Sequence, residues 1–130
     1  MTAKEFLQAY AKGERNFSGV ILSNVNLNFA TFTGADLNSA NISDANLTSA
    51  NLRFADLTSA NLSRTNLTGA DLNDAKLRNT NLTGADLAGA NLRCSNLTDA
   101  NLAKAKLSHA NLANANLSFA DLTAADLRNA

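Results

Sequence analysis

Two side chains of this sequence could act as a nucleophile or a base, Cys94 and His109. They are the single Cys and the single His of the chain. A catalytic base needs an orienting partner, and a nucleophile needs a base within hydrogen-bond reach. The sequence indicates neither, and a bystander thiol and a solvated turn residue are the simpler interpretations. Ser and Thr occur throughout the chain, so none stands out as a nucleophile. We therefore expect no enzyme activity.

Other site types are also absent from the pattern. A single Cys94 excludes an internal disulfide and any cluster of Cys ligands around a metal. The six Gly are scattered and form no glycine-rich phosphate loop. The sequence therefore predicts no metal site and no cofactor.

The charge of the chain argues against two classes of partner. Eleven Lys and Arg balance eleven Asp and Glu, so the formal net charge is zero. Such a chain has no long-range attraction for nucleic acid or anionic lipid. No apolar run reaches the roughly 18 residues that cross a bilayer, and residues 1–15 do not resemble a secretory signal. We expect a soluble, cytoplasmic protein with no nucleic-acid or membrane partner.

The elements that carry these residues follow from an internal repeat. From Asn16 to Ala130 the chain divides into 23 consecutive blocks of five residues without an insertion. The first position is Asn or Asp except at Ile21, Thr31, Lys76 and Lys106. The second is Leu except at Phe17, Phe32 and Ile42, and the fifth is Ala except at Val20, Val25, Thr65, Thr80 and Ser95. The third and fourth positions are mostly small and polar.

This period excludes helices and favours a solenoid. Five residues advance about 140° around an α-helix, so the Leu side chains would form no stripe that could be buried. In an extended chain the Ala of one block and the Leu of the next face the same side. Because five is an odd number, the Ala and Leu side chains of the following block face the same side only if the chain bends once per block. The repeats therefore predict an all-β solenoid of stacked short strands around a Leu and Ala core. The hydroxyls of Thr65, Thr80 and Ser95 are expected to bond to the local backbone, with a polar interior site as the alternative.

The two ends of the predicted solenoid differ. Thr2-Ala3-Lys4-Glu5 is typical of a capping box, and Gly13 is placed to end the helix that it opens. We therefore divide the chain into a capping helix and linker at residues 1–15 and the repeats at 16–130. Phe17 and Phe32 lie near the N-terminal end of the repeats, and on the 20-residue coil that the family resemblance described below implies, both fall in the first coil and would fill its interior. The repeat continues to Ala130, so either two molecules stack end to end or the last coil frays. The expected end-to-end contact, a weak homodimer, uses Leu112, Leu117, Leu122 and Leu127.

The repeat closely resembles the pentapeptide-repeat family, with its consensus Ala-(Asn/Asp)-Leu-X-X. It occurs almost unaltered as Ala45-Asn46-Leu47-Thr48-Ser49 and Ala70-Asp71-Leu72-Asn73-Asp74. The resemblance covers residues 16–130. It implies a right-handed quadrilateral β-helix with four pentapeptides per coil, hence about 5.75 coils. Residues 5–19 look like those of cyanobacterial members, some of which are implicated in regulating cell differentiation.

A coil of 20 residues, as the family implies, brings surface residues together. Arg53 and Arg93 then share a side two coils apart, with Phe54 beside the first. Aromatic and Arg side chains are common anchors at protein interfaces, so these three residues form the predicted partner-binding face. Phe29, Phe54 and Phe119 all fall at fourth positions and lie on three different sides, so they make no single patch. We expect them to pack locally on corners or against a neighbouring loop, with a role as partner-binding anchors as the alternative.

Two functions remain on this evidence. The first is a non-enzymatic structural or interaction module that presents lateral faces of the β-helix to an unidentified protein partner. The second is the topoisomerase-protecting branch that the resemblance includes, whose acidic β-helix imitates duplex DNA to modulate gyrase. Such mimicry needs a continuous negative surface of about one charge per 1.7 Å. The repeats carry nine acidic against eight basic residues, so we favour the interaction module.

Overall fold

Each pentapeptide of the chain forms one tight turn. The computed structural model describes all residues 1–130. In every repeat except 21–25 the N–H of the fifth residue donates to the carbonyl of the second, as from Ala50 to Leu47 at 3.0 Å. The fourth residue of every repeat has a φ between 54° and 70°. A positive φ at the third residue of a β-turn is what a type II turn requires. The predicted bend in each repeat is confirmed, and it uses the left-handed region even where the residue is not Gly.

The turns wind the chain into coils of 20 residues. Parallel β-bridges join the first residue of each repeat to the residue 20 positions later, as in Asn46 to Asn66 and Asn66 to Asp86. Four pentapeptides therefore make one coil, as the resemblance implied. Each side contributes one bridging residue per coil rather than a strand. The reason is that two of every five residues belong to the turn, which leaves too few extended residues for a continuous strand.

The backbone of an interior repeat is satisfied group by group. In the repeat 66–70, the N–H of the first residue, Asn66, donates to Ala45 O of the preceding coil at 3.0 Å. The second and fourth N–H groups donate to the following coil at 2.7 and 2.9 Å, and the fifth closes the turn at 3.0 Å. The third N–H donates to the side chain of the first residue, Asn66 Oδ1, at 3.0 Å. Every N–H of the repeat therefore has a partner inside the protein.

The last of these bonds explains why Asn and Asp dominate the first position. Every first-position Asn or Asp accepts the N–H two residues later, which is an Asx turn. The alternation of side chains in an extended chain predicts only that this side chain faces outward. The side chain does face outward, but it also supplies the acceptor that the turn lacks.

The core is the interior of the coils. The second-position side chains are buried from Phe17 to Leu107, and the fifth-position Ala residues are buried from Ala35 to Ala110. Burial of a Leu side chain contributes about 1.5–3 kcal/mol, so this column is the main source of stability. It is continuous along the whole helix axis.

Three hydroxyls lie in this core at fifth positions. Ser95 Oγ donates to Leu92 O at 2.7 Å, which confirms the expected local bond. Thr65 and Thr80 donate instead to carbonyls of the preceding coil, Ile42 O at 2.9 Å and Leu57 O at 2.8 Å. For these two the prediction of a local bond is wrong, because stacking brings a second-position carbonyl of the neighbouring coil within reach of the hydroxyl.

The N-terminal end is covered by the only helix, α1, at Ala3–Ala11. The Thr2 side chain caps it by accepting the N–H of Glu5 at 3.1 Å. Phe6 is fully buried, and its ring lies edge-on to Phe17 and Phe32 with centroids 4.6 and 5.2 Å apart. The predicted capping helix is present, and Phe17 and Phe32 fill the interior of the first coil together with Phe6. At nine residues α1 is too short to cross a membrane.

The left-handed backbone conformation of the fourth residue leads to a prediction about stability. Ser59 has a φ of 59°, and its side chain makes no hydrogen bond. We expect Ser59→Gly to be about 0.5–1 kcal/mol more stable than Ser59→Ala, because only Gly adopts this conformation without a steric cost. Chemical denaturation of both variants measures the difference. Ala88→Gly, at a third position, is the control and should lose about 0.5–1 kcal/mol. Equal stability of the two Ser59 variants would contradict the role of φ.

Candidate functional site

The predicted partner-binding residues lie on one side of the β-helix. We call this the arginine side, comprising the repeats 31–35, 51–55, 71–75, 91–95 and 111–115, which the bridges stack directly on one another. Arg53 and Phe54 are exposed in its second coil, and Arg93 is exposed in its fourth. The structure thus places all three on the same side. Coils stack at about 4.8 Å, so the two Arg backbones are separated by about 10 Å.

Arg53 and Phe54 form a preassembled pair. The guanidinium carbon of Arg53 lies 5.2 Å from the centroid of the Phe54 ring, within cation–π distance. Arg53 Nε is also 3.9 Å from the Asp71 carboxylate of the next coil. Both side chains stay exposed, with 52% of Phe54 accessible to solvent. The sequence did not reveal the contact with Asp71, because it joins residues 18 positions apart.

Arg93 differs from Arg53 because it lacks an acidic neighbour. No carboxylate lies within 4.0 Å of its guanidinium. The N–H groups of the Arg93 guanidinium therefore face solvent. On the same side, the Asp74 carboxylate also makes no ion pair and accepts a bond from the Asn73 side chain at 2.5 Å. The side thus combines an aromatic ring, an unpaired cation and an unpaired anion.

Elsewhere, stacking pairs most charges between neighbouring coils. Arg64 donates to both oxygens of Asp44 at 2.8 Å, and these hydrogen bonds lower the pKa of the Asp44 carboxyl. In the last repeat, hydrogen bonds from the Arg128 side chain and N–H lower the pKa of Asp126 to about 2. The carboxylates with a base within 4.0 Å are Asp44, Asp56, Asp71, Asp86, Asp99 and Asp126. The helix surface is therefore locally as well as globally close to neutral.

The remaining exposed aromatic rings do not join this side. The coil register places Phe29, Phe54 and Phe119 on three different sides, as predicted. Phe29 is 70% and Phe119 87% exposed, so the prediction of local packing is wrong for these two rings. The fourth residue lies at the outside of each turn, which points its side chain away from the coils. Cys94 and His109 are exposed fourth-position turn residues on two different sides. The structure contains no ligand-sized pocket and no group of three potential metal ligands.

The C-terminal coil is the second surface that the sequence singled out. Leu112, Leu117 and Leu122 are partly buried, and Leu127 is 39% exposed. These residues occupy the same positions as the fully buried Leu residues of the coils above. The hydrophobic column is thus open at this end, where no further coil lies beneath it.

The comparisons with known proteins agree with this geometry. The family model of pentapeptide repeats matches in eight copies, over residues 16–48, 45–84, 70–108, 81–118 and 95–130. No curated protein matches the chain. The crystal structure of a pentapeptide repeat protein (Rfr23) from the cyanobacterium Cyanothece 51142 is 33% identical, with a TM-score of 0.86 over 92% of this chain and 95% of that one.

Two further solved structures have lower TM-scores. HetL from Nostoc sp. strain PCC 7120, involved in heterocyst differentiation regulation, is 27% identical with a TM-score of 0.43, over 99% of this chain and 94% of that one. The full-length fluoroquinolone resistance protein QnrB1 is 23% identical with a TM-score of 0.43, over 88% of this chain and 65% of that one. The fold supported by the matches is a right-handed β-helix.

Proposed function

Because the chain belongs to the pentapeptide-repeat family, we propose that it is an interaction module that presents the arginine side of its β-helix to a protein partner. Proteins of this family are structural repeat proteins and generally not enzymes. The observation that supports this assignment is the exposed Arg53–Phe54 pair with the unpaired Arg93 on the same side. We further propose that this interaction takes place in the cytoplasm.

The chemistry of this side defines the partner that it fits. Phe54 offers a ring that is held by Arg53 and can be covered by an apolar or aromatic side chain. Arg93 offers a planar guanidinium that can donate hydrogen bonds to both oxygens of a carboxylate. We therefore propose a partner surface with an apolar anchor and an acidic side chain about 10 Å from it, the distance spanned by two coils.

The backbone supports this use as a rigid platform. In the interior repeats that begin with Asn or Asp, every N–H is paired, whereas the N–H groups of Arg78 and Ser108, which follow Lys76 and Lys106, have no partner. The sides of the coils therefore expose few backbone donors. The lateral positions are then free to vary in side chain without a change in backbone position. Binding of a partner to the arginine side would therefore cost this protein little conformational entropy.

The partner-binding face can be tested with matched variants. We expect the triple change Arg53→Ala, Phe54→Ala and Arg93→Ala to weaken partner capture from a native-host lysate by at least tenfold, because interface anchors of this type each contribute about 1–2 kcal/mol. The control is Arg78→Ala with Phe119→Ala, which removes the same side-chain types from a different side. Quantitative mass spectrometry of the captured proteins provides the readout. If both variants lose partner capture equally, or neither loses it, the arginine side is not the binding face.

Modulation of gyrase by DNA mimicry is the alternative, and the charge distribution disfavours it. A DNA mimic needs regularly spaced, unneutralised negative charge. Here six of the repeat carboxylates have a base within 4.0 Å. We expect the purified protein to leave DNA supercoiling by gyrase unchanged at micromolar concentration. Inhibition, or protection of gyrase from a fluoroquinolone, would favour the alternative.

We further infer a weak homodimer through the C-terminal coil. Its support is the open hydrophobic column at Leu117, Leu122 and Leu127, which a second copy would cover. Helix α1 covers the opposite end, so in the intact protein two C-terminal ends would meet. Only part of each Leu remains exposed, so the gain from burial is small.

The homodimer is tested by sedimentation velocity over a range of concentrations. We expect the wild-type average mass to rise toward twice 13.6 kDa at high concentration. Leu122→Lys with Leu127→Lys should abolish the rise, because charge at the open column prevents its burial. Phe119→Lys adds charge to the lateral surface of the same coil and should leave the rise intact. A constant monomer mass for the wild-type chain would contradict the dimer.

A further inference from the structure

Two repeats beyond the first coil begin with Lys rather than with Asn or Asp, at Lys76 and Lys106. In both of them the N–H of the third residue, Arg78 or Ser108, has no partner in the chain. In the repeats that begin with Asn or Asp, this N–H donates to the side-chain oxygen of the first residue. Lys removes that acceptor and leaves the donor in place, so each of the two repeats carries an unpaired backbone donor two residues after a cation.

Six other repeats show what binds at a third residue that also has a hydroxyl group. In each of them the N–H and the hydroxyl of the third residue donate to the same Oδ1 of the first residue, at 2.9–3.1 Å from the nitrogen and 2.6–2.7 Å from the hydroxyl oxygen. The third residues of these hydroxyl repeats are Thr48, Thr68, Thr83, Thr98, Ser118 and Thr123. Two donors thus converge on one carboxylate or carboxamide oxygen.

Ser108 has the same two donors and no acceptor for them. It is half-buried, and neither its N–H nor its hydroxyl makes a hydrogen bond in the chain. The turn around it is intact, since the N–H of Ala110 donates to Leu107 O at 3.0 Å and the φ of His109 is 60°. In the repeat of Thr98 the φ of the corresponding residue is also 60°. The backbone therefore holds the Ser108 N–H as in the hydroxyl repeats, and the hydroxyl can join it by rotation about the Cα–Cβ bond.

The charges around Ser108 leave one cation weakly held. The Asp126 carboxylate of the following coil is bound by the Arg128 side chain through both of its oxygens, at 2.9 and 2.7 Å. The Lys106 side chain is 68% exposed, and its Nζ lies 3.9 Å from Asp86 Oδ2, beyond hydrogen-bond distance. The Lys106 ammonium is therefore free to approach an anion that binds at Ser108.

The repeat at Lys76 offers less to an anion. Its third residue, Arg78, has no hydroxyl, and Lys76 Nζ already lies 3.4 Å from Asp56 Oδ2. The Arg78 Nε in turn lies 3.8 Å from the Asp99 carboxylate. Asp36 stacks on Asp56, so three carboxylates surround the two cations of this repeat and the local charge disfavours an anion.

We propose that Ser108 and Lys106 form a binding site for a carboxylate, which takes the place of the Asx side chain that this repeat lacks. One oxygen accepts the N–H and the hydroxyl of Ser108, as Oδ1 does in the hydroxyl repeats, and the Lys106 ammonium pairs with the charge. A phosphate dianion would bring a second negative charge close to Asp86 without a second free cation. The site lies on the side that contains the repeats 46–50, 66–70, 86–90 and 106–110, so it is separate from the arginine side and independent of the proposed partner-binding face.

The site is tested by an NMR titration of the full-length protein with sodium acetate, at constant ionic strength with chloride as the replaced anion. We expect the Ser108 amide to shift along a binding curve with a dissociation constant in the millimolar range, because the site offers two hydrogen bonds and one ion pair. The Thr98 amide is the internal reference and should not shift, because its N–H already has an acceptor. Absence of a shift at Ser108, or an equal shift at Thr98, would overturn the site.

Variants separate the site from a general effect of charge. Lys106→Asn supplies the missing acceptor from within the chain, so the Ser108 amide should lose its response to acetate and exchange its hydrogen about tenfold more slowly. Ser108→Ala keeps the N–H and the ammonium, and it should weaken acetate binding by about fivefold. Lys76→Asn is the matched control on another side and should leave the Ser108 response unchanged. If the response survives in Lys106→Asn, or is lost in Lys76→Asn as well, the proposal is wrong.

Peptides distinguish the two sources of such a carboxylate, an acidic side chain of a bound protein segment and a free small acid. Gly-Glu-Gly with blocked termini presents one side-chain carboxylate, and blocked Gly-Gln-Gly is its uncharged counterpart. Tighter binding of the Glu peptide than of acetate would assign the site to an acidic protein segment, and weaker or equal binding would assign it to a small acid. A Gln peptide that binds as tightly as the Glu peptide would contradict the role of Lys106 and overturn the carboxylate site.

Discussion

The structure depends on one conformational constraint, the left-handed backbone of the fourth residue in every repeat. This residue turns the chain so that the second and fifth side chains face the interior while the backbone groups of neighbouring coils stay in register. Most of these residues are not Gly, so each carries a steric cost of about 1–2 kcal/mol. The cost is offset because the turn satisfies the backbone of the repeat and buries a Leu. The Asx turn of the first residue completes the arrangement by binding the N–H that the coil stacking leaves unpaired.

Coil stacking also determines the electrostatics of the surface. First-position side chains of successive coils stand about 4.8 Å apart, so like charges in one column repel each other strongly. Opposite charges face each other between Asp56 and Lys76 and between Asp86 and Lys106, whereas Asp36 stacks directly on Asp56. Arg93 and Asp74 remain unpaired on the arginine side, as Asp36, Lys104 and Asp121 do on other sides. An unneutralised pair of charges beside an exposed Phe54 is better suited to a specific protein contact than to imitation of DNA.

A solenoid built in this way has ends that are not equivalent. Because every coil donates with the same two N–H groups and accepts with the same two carbonyls, the polarity of the hydrogen bonds is constant along the axis. The first coil therefore leaves its carbonyl edge without a preceding coil. Helix α1 covers that end with an apolar residue, Phe6, and a polar one, Tyr10, which donates to Thr33 O.

The repeat, the exclusion of helices from residues 16–130, the Leu and Ala core, the N-terminal helix and the absence of net charge were all predictable from the amino-acid sequence. These features depend on residue type and on spacing within about five positions, which a pattern reveals directly. A period of five does not say how many repeats make a coil. That number was implied by the resemblance, and the bridges between Asn46, Asn66 and Asp86 confirm it. Which residues meet across coils could not be predicted, because it depends on how the coils stack. Thr65 bonds to a residue 23 positions earlier and Arg53 contacts one 18 positions later, because stacking brings several offsets near 20 within reach and local geometry selects among them.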